Sequence, residues 1–92
     1  MFDLQDQVAI VTGGAAGIGR GIVSALREAG ATVVIADLNL EAAQKTAEDL
    51  GADALLADVT SRDSIRALYR DVVKRYDHID IVCSNAGVFP NC

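Results

Sequence analysis

The feature that most constrains the fold of this chain is a regular alternation of short apolar runs with longer segments of helical period. The runs at residues 8–11, 32–36, 52–57 and 79–83 are largely apolar, and each of the three segments between them carries apolar residues at helical spacing. Short apolar runs bounded by turn residues predict strands that are buried on both faces, as in a parallel sheet. Right-handed crossovers between parallel strands then predict a doubly wound α/β sheet of four strands with three helices, and the usual strand order of such a sheet is 3-2-1-4.

The ends of the predicted helices carry recognisable stop and start residues. Gly30 and Gly51 follow the first two helical segments, where a left-handed residue is favoured, and Asn39 can cap the second helix. Thr60, with Asp63 three residues later, resembles a capping box and predicts the start of the third helix.

The third helix has an apolar stripe that we expect to lie in the core. The spacing of its members is i, i+3, i+4, i+7, i+8 and i+11, which places them along one side of a helix. They are Ile65, Leu68, Tyr69, Val72, Val73 and Tyr76.

Length and charge exclude several classes of protein. A chain of 92 residues with 51% hydrophobic and 23% charged residues has room for one small core, so residues 1–92 are expected to belong to a single domain. The 13 acidic and 8 basic residues, with no basic cluster, argue against a nucleic-acid partner. The apolar runs are too short for a membrane helix and the acidic start does not resemble a signal peptide, so we expect a cytoplasmic protein with no membrane partner. No metal site is expected.

A glycine-rich turn joins the first strand to the first helix. It reads Thr12-Gly13-Gly14-Ala15-Ala16-Gly17-Ile18-Gly19. Glycines let a pyrophosphate approach the backbone, and the following helix N-terminus supplies free N–H groups and the positive end of its dipole. Tight turns also need glycine for steric reasons alone, so the turn by itself predicts an anion site only weakly.

Asp37 strengthens the prediction, because it ends the second strand 20 residues after Gly17. An acid at this place accepts hydrogen bonds from the hydroxyls of an adenosine ribose, and it repels a 2′-phosphate. Leu38 follows it, and the turn offers no base. The predicted cofactor is therefore NAD rather than NADP. Arg20 is the nearest base, and we expect it to point into solvent, with a phosphate contact left open.

Three motifs together resemble the short-chain dehydrogenase/reductase family. The first is the Thr12-Gly13-x-x-x-Gly17-Ile18-Gly19 spacing, the second is Asp58-Val59 after the third strand, and the third is Asn85-Ala86-Gly87 after the fourth. The last one is similar to the family's Asn-Asn-Ala-Gly motif, with Ser84 in place of the first Asn. The resemblance implies a Rossmann-type fold and runs through nearly the whole chain.

The resemblance also implies a role for each matching residue. The pyrophosphate contacts would come from Gly13, Gly17, Ile18 and Gly19; the adenosine ribose contacts from Asp37 and Leu38; the adenine contacts from Asp58 and Val59; and the contacts near the nicotinamide ribose from Asn85, Ala86 and Gly87. Simpler explanations exist for several of them, since Asp58 can cap a helix, Asn85 can satisfy buried backbone groups and Gly87 can permit a turn.

The family's acid/base pair, a tyrosine with a lysine four residues later, has no counterpart in this chain. Tyr69 is followed at that distance by Val73, and Tyr76 by Asp80. We therefore expect no catalytic residue here. The resemblance implies the amino-terminal, cofactor-binding part of an NAD-dependent oxidoreductase that acts on an alcohol or ketone and is a homo-oligomer when complete. The 92 residues alone are expected to be inactive.

Two alternatives come from other classes of protein. The chain can be a stand-alone nucleotide-binding module without catalysis. The Gly17-x-Gly19-x-Gly21 pattern also has the form found in methyltransferases that use S-adenosylmethionine. In those proteins the glycines follow the strand directly, whereas five residues separate Val11 from Gly17 here, and this disfavours the methyltransferase interpretation.

Overall fold

The computed structural model describes residues 3–15 and 17–84, and they form the predicted α/β sheet. Four parallel strands lie in the order β3-β2-β1-β4, which confirms the predicted order 3-2-1-4. The elements are β1 Val8–Thr12, α1 Gly17–Glu28, β2 Thr32–Asp37, α2 Leu40–Leu50, β3 Asp53–Leu56, α3 Arg62–Tyr76 and β4 Ile81–Ser84.

The central strand β1 is the most deeply buried element of the sheet. It pairs with β2 on one side and β4 on the other, so that Val11 lies opposite both Ile35 and Cys83. All five residues of β1 are buried. The apolar run Val8–Val11 fits this position, because helices cover both faces of the strand.

The two faces of the sheet have separate apolar cores. Alternate strand residues such as Val11 and Ile35 pack with Val23 of α1 and Ala43 of α2. The residues between them, such as Ile10, pack with side chains of α3 on the opposite face. Since side chains alternate along a strand, α1 and α2 lie on one face and α3 on the other, as the right-handed crossovers require.

The prediction that the whole apolar stripe of α3 lies in the core is wrong for two residues. Leu68 and Val72 are buried against the sheet, whereas Tyr69 is 39% and Val73 45% exposed. Within the described ranges α3 is the one helix on its face. Its sheet-facing side is therefore covered, but no second helix there packs against the side that carries Tyr69 and Val73.

The helix ends agree with the sequence except at the start of α3. The side chain of Asn39 caps α2 by accepting from the N–H of Ala42, and Gly51 ends the helix with φ 71°. The cap of α3 is Ser61, which accepts from the N–H of Ser64, and not Thr60 as predicted. Thr60 is engaged elsewhere, because its hydroxyl donates to Asp58 Oδ1 over 2.6 Å.

Polar contacts fasten the amino ends of the strands, which we call the amino edge of the sheet. Asp80 Oδ2 accepts from the N–H of Val8 over 2.8 Å, and the N–H of Asp80 donates to the carbonyl of Val8. Asp53, the first residue of β3, accepts from Tyr76 Oη and from Arg75 Nη1, each over 2.8 Å.

None of the helices in the described part of the chain is long and apolar enough to cross a membrane.

Candidate functional site

A cavity of about 340 Å³ lies at the opposite edge, beyond the carboxyl ends of the strands. We call this the carboxyl edge. Parallel β-α connections all leave the sheet there, which brings together residues that are far apart in sequence. The cavity is lined by Gly13, Ala36, Asp37, Leu38, Ala57, Asp58, Val59 and Thr60. Five of these eight are residues that the sequence predicted for a cofactor site, namely Gly13, Asp37, Leu38, Asp58 and Val59.

Asp37 supplies the first carboxylate of the cavity. It is the last residue of β2 and is half-buried. Its Oδ1 accepts from the N–H of Asn39 over 3.0 Å, which orients the carboxylate. A carboxylate has roughly four acceptor positions, so this single bond leaves acceptor capacity for the hydroxyls of a ligand.

Asp58 supplies the second carboxylate. Its Oδ1 accepts from both the hydroxyl and the N–H of Thr60, and its own N–H donates to Ser64 Oγ over 2.8 Å. The hydrogen bond from the Thr60 hydroxyl, followed by that from the Thr60 N–H, lowers the pKa of Asp58 below its usual range. Asp58 therefore stays ionised near neutral pH, and it shapes the turn before α3 while lining the cavity.

Apolar side chains form other parts of the wall. Leu38 is 64% exposed although it directly follows a buried strand, and Val59 is half-buried. An exposed leucine beside two carboxylates gives the cavity the mixed apolar and polar lining that is common in small-molecule sites. The residues that line the cavity include neither lysine nor arginine.

The first glycines of the turn have different structural roles. Gly13 has φ 68°, and its N–H donates to the carbonyl of Ala36 over 2.8 Å. Gly13 also lines the cavity, where it presents backbone and no side chain. Gly14 is a packing glycine, because an added Cβ would lie 3.1 Å from side-chain carbons of both Ile35 and Val23.

Gly17 differs from these two because the space beside it is open. It has φ 61°, and an added Cβ would meet no described atom within 4 Å. It begins α1, whose first turn contains no acidic side chain. The N–H groups of that turn have no preceding helical carbonyl to bond, and the helix dipole is positive there, so the turn favours an anion. Ile18 is 78% exposed at the same place, and Gly19 is buried.

The structure corrects the expectation that Arg20 points into solvent. Its Nη1 donates to Thr46 Oγ1 over 3.1 Å, and its Nη2 lies 3.5 Å from Asp49 Oδ2. Thr46 was not identified from the sequence. A threonine in line with the buried alanines of α2 is the signal that could have found it.

The third motif falls outside the described residues. Asn85, Ala86 and Gly87 follow β4, of which the last residue, Ser84, lies opposite Thr12 at the start of the glycine-rich turn. Within the described part of the chain, no cluster of histidine, cysteine and acidic residues is arranged to hold a metal ion.

The described residues fit the adenosine half of a dinucleotide. The cavity volume falls in the range of small-molecule sites, about 300–1,000 Å³. Its two carboxylates can accept from ribose hydroxyls and an amino group, its apolar wall can contact a base, and the open space beside Gly17 can admit a diphosphate at the start of α1.

Comparisons with known proteins agree with this geometry. A family model described as short chain dehydrogenase matches residues 7–92. Sorbitol dehydrogenase of Cereibacter sphaeroides is 43% identical over 88 residues, covering 94% of this chain and 34% of the relative. (+)-Borneol dehydrogenase 1 of Salvia officinalis is 44% identical over 87 residues, covering 92% and 34%. The crystal structure of gox2181 superposes with a TM-score of 0.90 at 42% identity, covering 94% of this chain and 35% of that one. The chain thus spans about a third of the length of these proteins.

Proposed function

Since this chain belongs to the short chain dehydrogenase family, we propose that its carboxyl edge binds the adenosine diphosphate half of NAD. The family consists of oxidoreductases that use a nicotinamide cofactor, and the choice of NAD over NADP is our inference. The observation that carries it is the position of Asp37 in a cavity whose lining contains no basic side chain.

Each side chain has a part in this proposal. Asp37 accepts hydrogen bonds from the ribose hydroxyls, and Leu38 contacts the ribose. Asp58 accepts from the amino group of adenine, and Val59 packs on the ring.

The glycine-rich turn holds the rest of the cofactor. Gly13, Gly17, Ile18 and Gly19 surround the diphosphate at the start of α1. Asn85, Ala86 and Gly87, outside the described residues, are proposed to pass the ribose on the nicotinamide side. Bound NAD would supply the hydride acceptor for alcohol oxidation.

Electrostatics explains the preference for NAD. A 2′-phosphate would bring close to two negative charges against the carboxylate of Asp37, with no cation lining the cavity to offset them. Calorimetric titration of the full protein that carries this sequence should therefore give an NAD affinity at least about tenfold above that for NADP.

A double variant tests the assignment. Asp37→Ala with Leu38→Arg removes the repelling carboxylate and adds a cation, so the preference should move towards NADP. Asp71→Arg is a matched control, because it makes the same change in net charge at an exposed position of α3 outside the cavity lining, and it should leave the preference as it is. An NADP preference in the wild type, or an unchanged ratio in the Asp37 variant, would contradict the proposal.

We also propose that the full protein oxidises an alcohol, or reduces the corresponding ketone. The support is family membership together with two relatives named for the alcohols sorbitol and borneol. These 92 residues, the cofactor-binding part of the Rossmann-type domain, contain no Tyr-x-x-x-Lys pair to supply the proton donor that the reaction needs.

NADH formation with a panel of polyols and secondary alcohols should be absent for residues 1–92 and present for the full protein. Turnover by the 92 residues would refute the first part. A full protein that binds NAD but turns nothing over would favour the non-catalytic module.

The exposed apolar side chains of α3 support one further part of the proposal, a homo-oligomer. Tyr69 and Val73 lie one helical turn apart and are 39% and 45% exposed. Exposed apolar pairs of this kind favour burial against another surface. The mass of the full protein in solution, measured by sedimentation, should exceed that of one chain. Replacement of both residues by glutamate should lower it if they lie at the interface.

A further inference from the structure

Thr46 has a buried hydroxyl that reaches from α2 to the glycine-rich turn. The residue is 3% exposed, and its hydroxyl donates to the carbonyl of Ala15 over 2.5 Å, across 31 positions of sequence. Thr46 does not line the cavity. Its contact is with the backbone of the turn that precedes Gly17.

Arg20 fixes the direction in which this hydroxyl donates. Its Nη1 donates to Thr46 Oγ1 over 3.1 Å, and Asp49 Oδ2 lies 3.5 Å from its Nη2. A threonine hydroxyl has one hydrogen, and the guanidinium cannot accept it. The hydrogen is therefore directed to Ala15, and the positive charge on the donor to Oγ1 strengthens that bond.

The same helix is also attached to the ribose side of the cavity. Asp37 Oδ1 accepts from the N–H of Asn39, and the Asn39 side chain in turn caps α2 at Ala42. One end of α2 is thus tied to the end of β2, and its middle is tied to the turn between β1 and α1. The helix fixes the separation between the proposed ribose site and the proposed diphosphate site.

We propose that Thr46 is a positioning residue for the diphosphate of the cofactor, acting through the carbonyl of Ala15. The inference rests on the proposed function. Loss of the hydroxyl leaves the turn without its tie to α2, so the diphosphate loses a prearranged site while the adenosine pocket is retained. Ligands that contain a diphosphate should therefore be affected, and adenosine alone should not.

The test is calorimetric titration of NAD, ADP-ribose and adenosine into the full protein and its Thr46→Val variant. Valine keeps the shape and removes the hydroxyl. Since a lost hydrogen bond to a buried group changes an equilibrium by roughly five- to tenfold, NAD and ADP-ribose should bind about that much more weakly. Adenosine should bind as it does to the wild type. In turnover, the KM for NAD should rise with kcat unchanged.

Two further variants separate positioning from general stability. Thr46→Ser restores the hydroxyl and should restore the affinity for NAD. Thr32→Val makes the same chemical change at the start of β2, on the amino edge, and should leave all three affinities unchanged. Thermal unfolding of each variant shows whether the fold is retained.

The possible results distinguish the two claims. A Thr46→Val protein that binds NAD as tightly as the wild type, or that loses adenosine in the same proportion as NAD, would overturn the positioning role alone. A wild-type protein that binds none of the three ligands would overturn the proposed function and this inference with it.

Discussion

The two edges of the sheet use the same residue types for opposite purposes. At the amino edge, Asp53 accepts from Tyr76 and Arg75, and Asp80 accepts from the backbone at the start of β1. At the carboxyl edge, Asp37 and Asp58 line a cavity, and in the described part of the chain their carboxylates accept from residues two positions further along. The carboxylates of the amino edge hold separate elements together, whereas those of the carboxyl edge are oriented locally and remain accessible to a ligand.

Two glycines show the same contrast. Gly17 and Gly51 have nearly equal backbone conformations, with φ 61° and 71°. Gly51 ends α2 on the amino edge, and an added Cβ there would touch the guanidinium of Arg27 at 3.4 Å. An added Cβ at Gly17 would meet no described atom within 4 Å. In the proposed function, this difference separates a glycine that ends a helix from one that leaves space for the cofactor.

The largest expected effect separates these two glycines. Gly17→Ala and Gly51→Ala should each lower the free energy of unfolding by about 1–2 kcal/mol, because alanine is strained at positive φ. Only Gly17→Ala should also weaken NAD binding, by at least about tenfold, since its Cβ would occupy the proposed diphosphate space. Chemical denaturation and calorimetry on both variants measure the two quantities. Equal NAD affinities in the two variants would remove the distinction between the edges.

Two aspartates should each change one of these quantities, whereas Gly17→Ala changes both. Asp80→Ala leaves the N–H of Val8 without its side-chain acceptor, so we expect a loss of about 1–2 kcal/mol in the free energy of unfolding with NAD affinity unchanged. Asp37→Ala should do the reverse, weakening NAD binding while changing stability by less than about 0.5 kcal/mol. Urea denaturation of both variants, with NAD titration beside it, measures the two quantities. A loss of NAD affinity in Asp80→Ala would contradict the purely structural role of the amino edge.

Acid should weaken the amino edge through Asp53. Partial burial alone would raise the pKa of Asp53, but the hydrogen bonds from Tyr76 and Arg75 together hold it below its usual 3.8. A lowered pKa in the folded state contributes stability above the unfolded pKa, and this is lost as pH falls through the folded value. The stability advantage of the wild type over Asp53→Asn should therefore shrink below about pH 4. Tyr76→Phe, which removes one of the two donors, should show a smaller acid-dependent loss than the wild type.

The smallest effect is expected from His78 at the same edge. Its Nε2–H donates to the carbonyl of Asp6 over 2.8 Å and lies 3.0 Å from Asp80 Oδ2. The hydrogen bond to Asp6 raises the pKa of His78 above 6.5. Desolvation opposes this shift, and the charges of Asp80, Asp77 and Asp6 add to it. Its contribution to stability is thus complete below the unfolded pKa and is lost as pH rises through the folded value. The melting temperature of the wild type should fall slightly more between pH 6 and pH 8 than that of His78→Asn, and equal slopes would exclude the effect.

The strands could be predicted because apolar runs mark them wherever they lie in space. The order 3-2-1-4 is the usual one for a doubly wound sheet, and with that order right-handed crossovers fix the face on which each helix lies. The sequence predicts the cap of α3 one residue too early, because Thr60 and Ser61 are both residues that favour a helix N-cap. The choice depends on Asp58, which engages the hydroxyl of Thr60.

Side-chain contacts between elements could not be predicted from the sequence. The partners of Arg20 depend on how α1 packs on α2, and the exposure of Tyr69 and Val73 depends on what lies beside α3. At the site, Asp37 and Asp58 could be placed on one edge from strand topology alone. The separate roles of Gly14 and Gly17 could not, because they depend on the atoms nearest each glycine.

Hydrogen–deuterium exchange of the full protein with and without NAD tests the contrast between the edges most directly. We expect slower exchange with NAD at residues 13–15, 17–20, 37–39 and 57–60, all at the carboxyl edge. The amino-edge connections at residues 29–31, 51–53 and 77–80 should exchange at the same rate in both samples. Protection confined to the amino edge, or no protection at the carboxyl edge at saturating NAD, would contradict a cofactor site at the carboxyl edge.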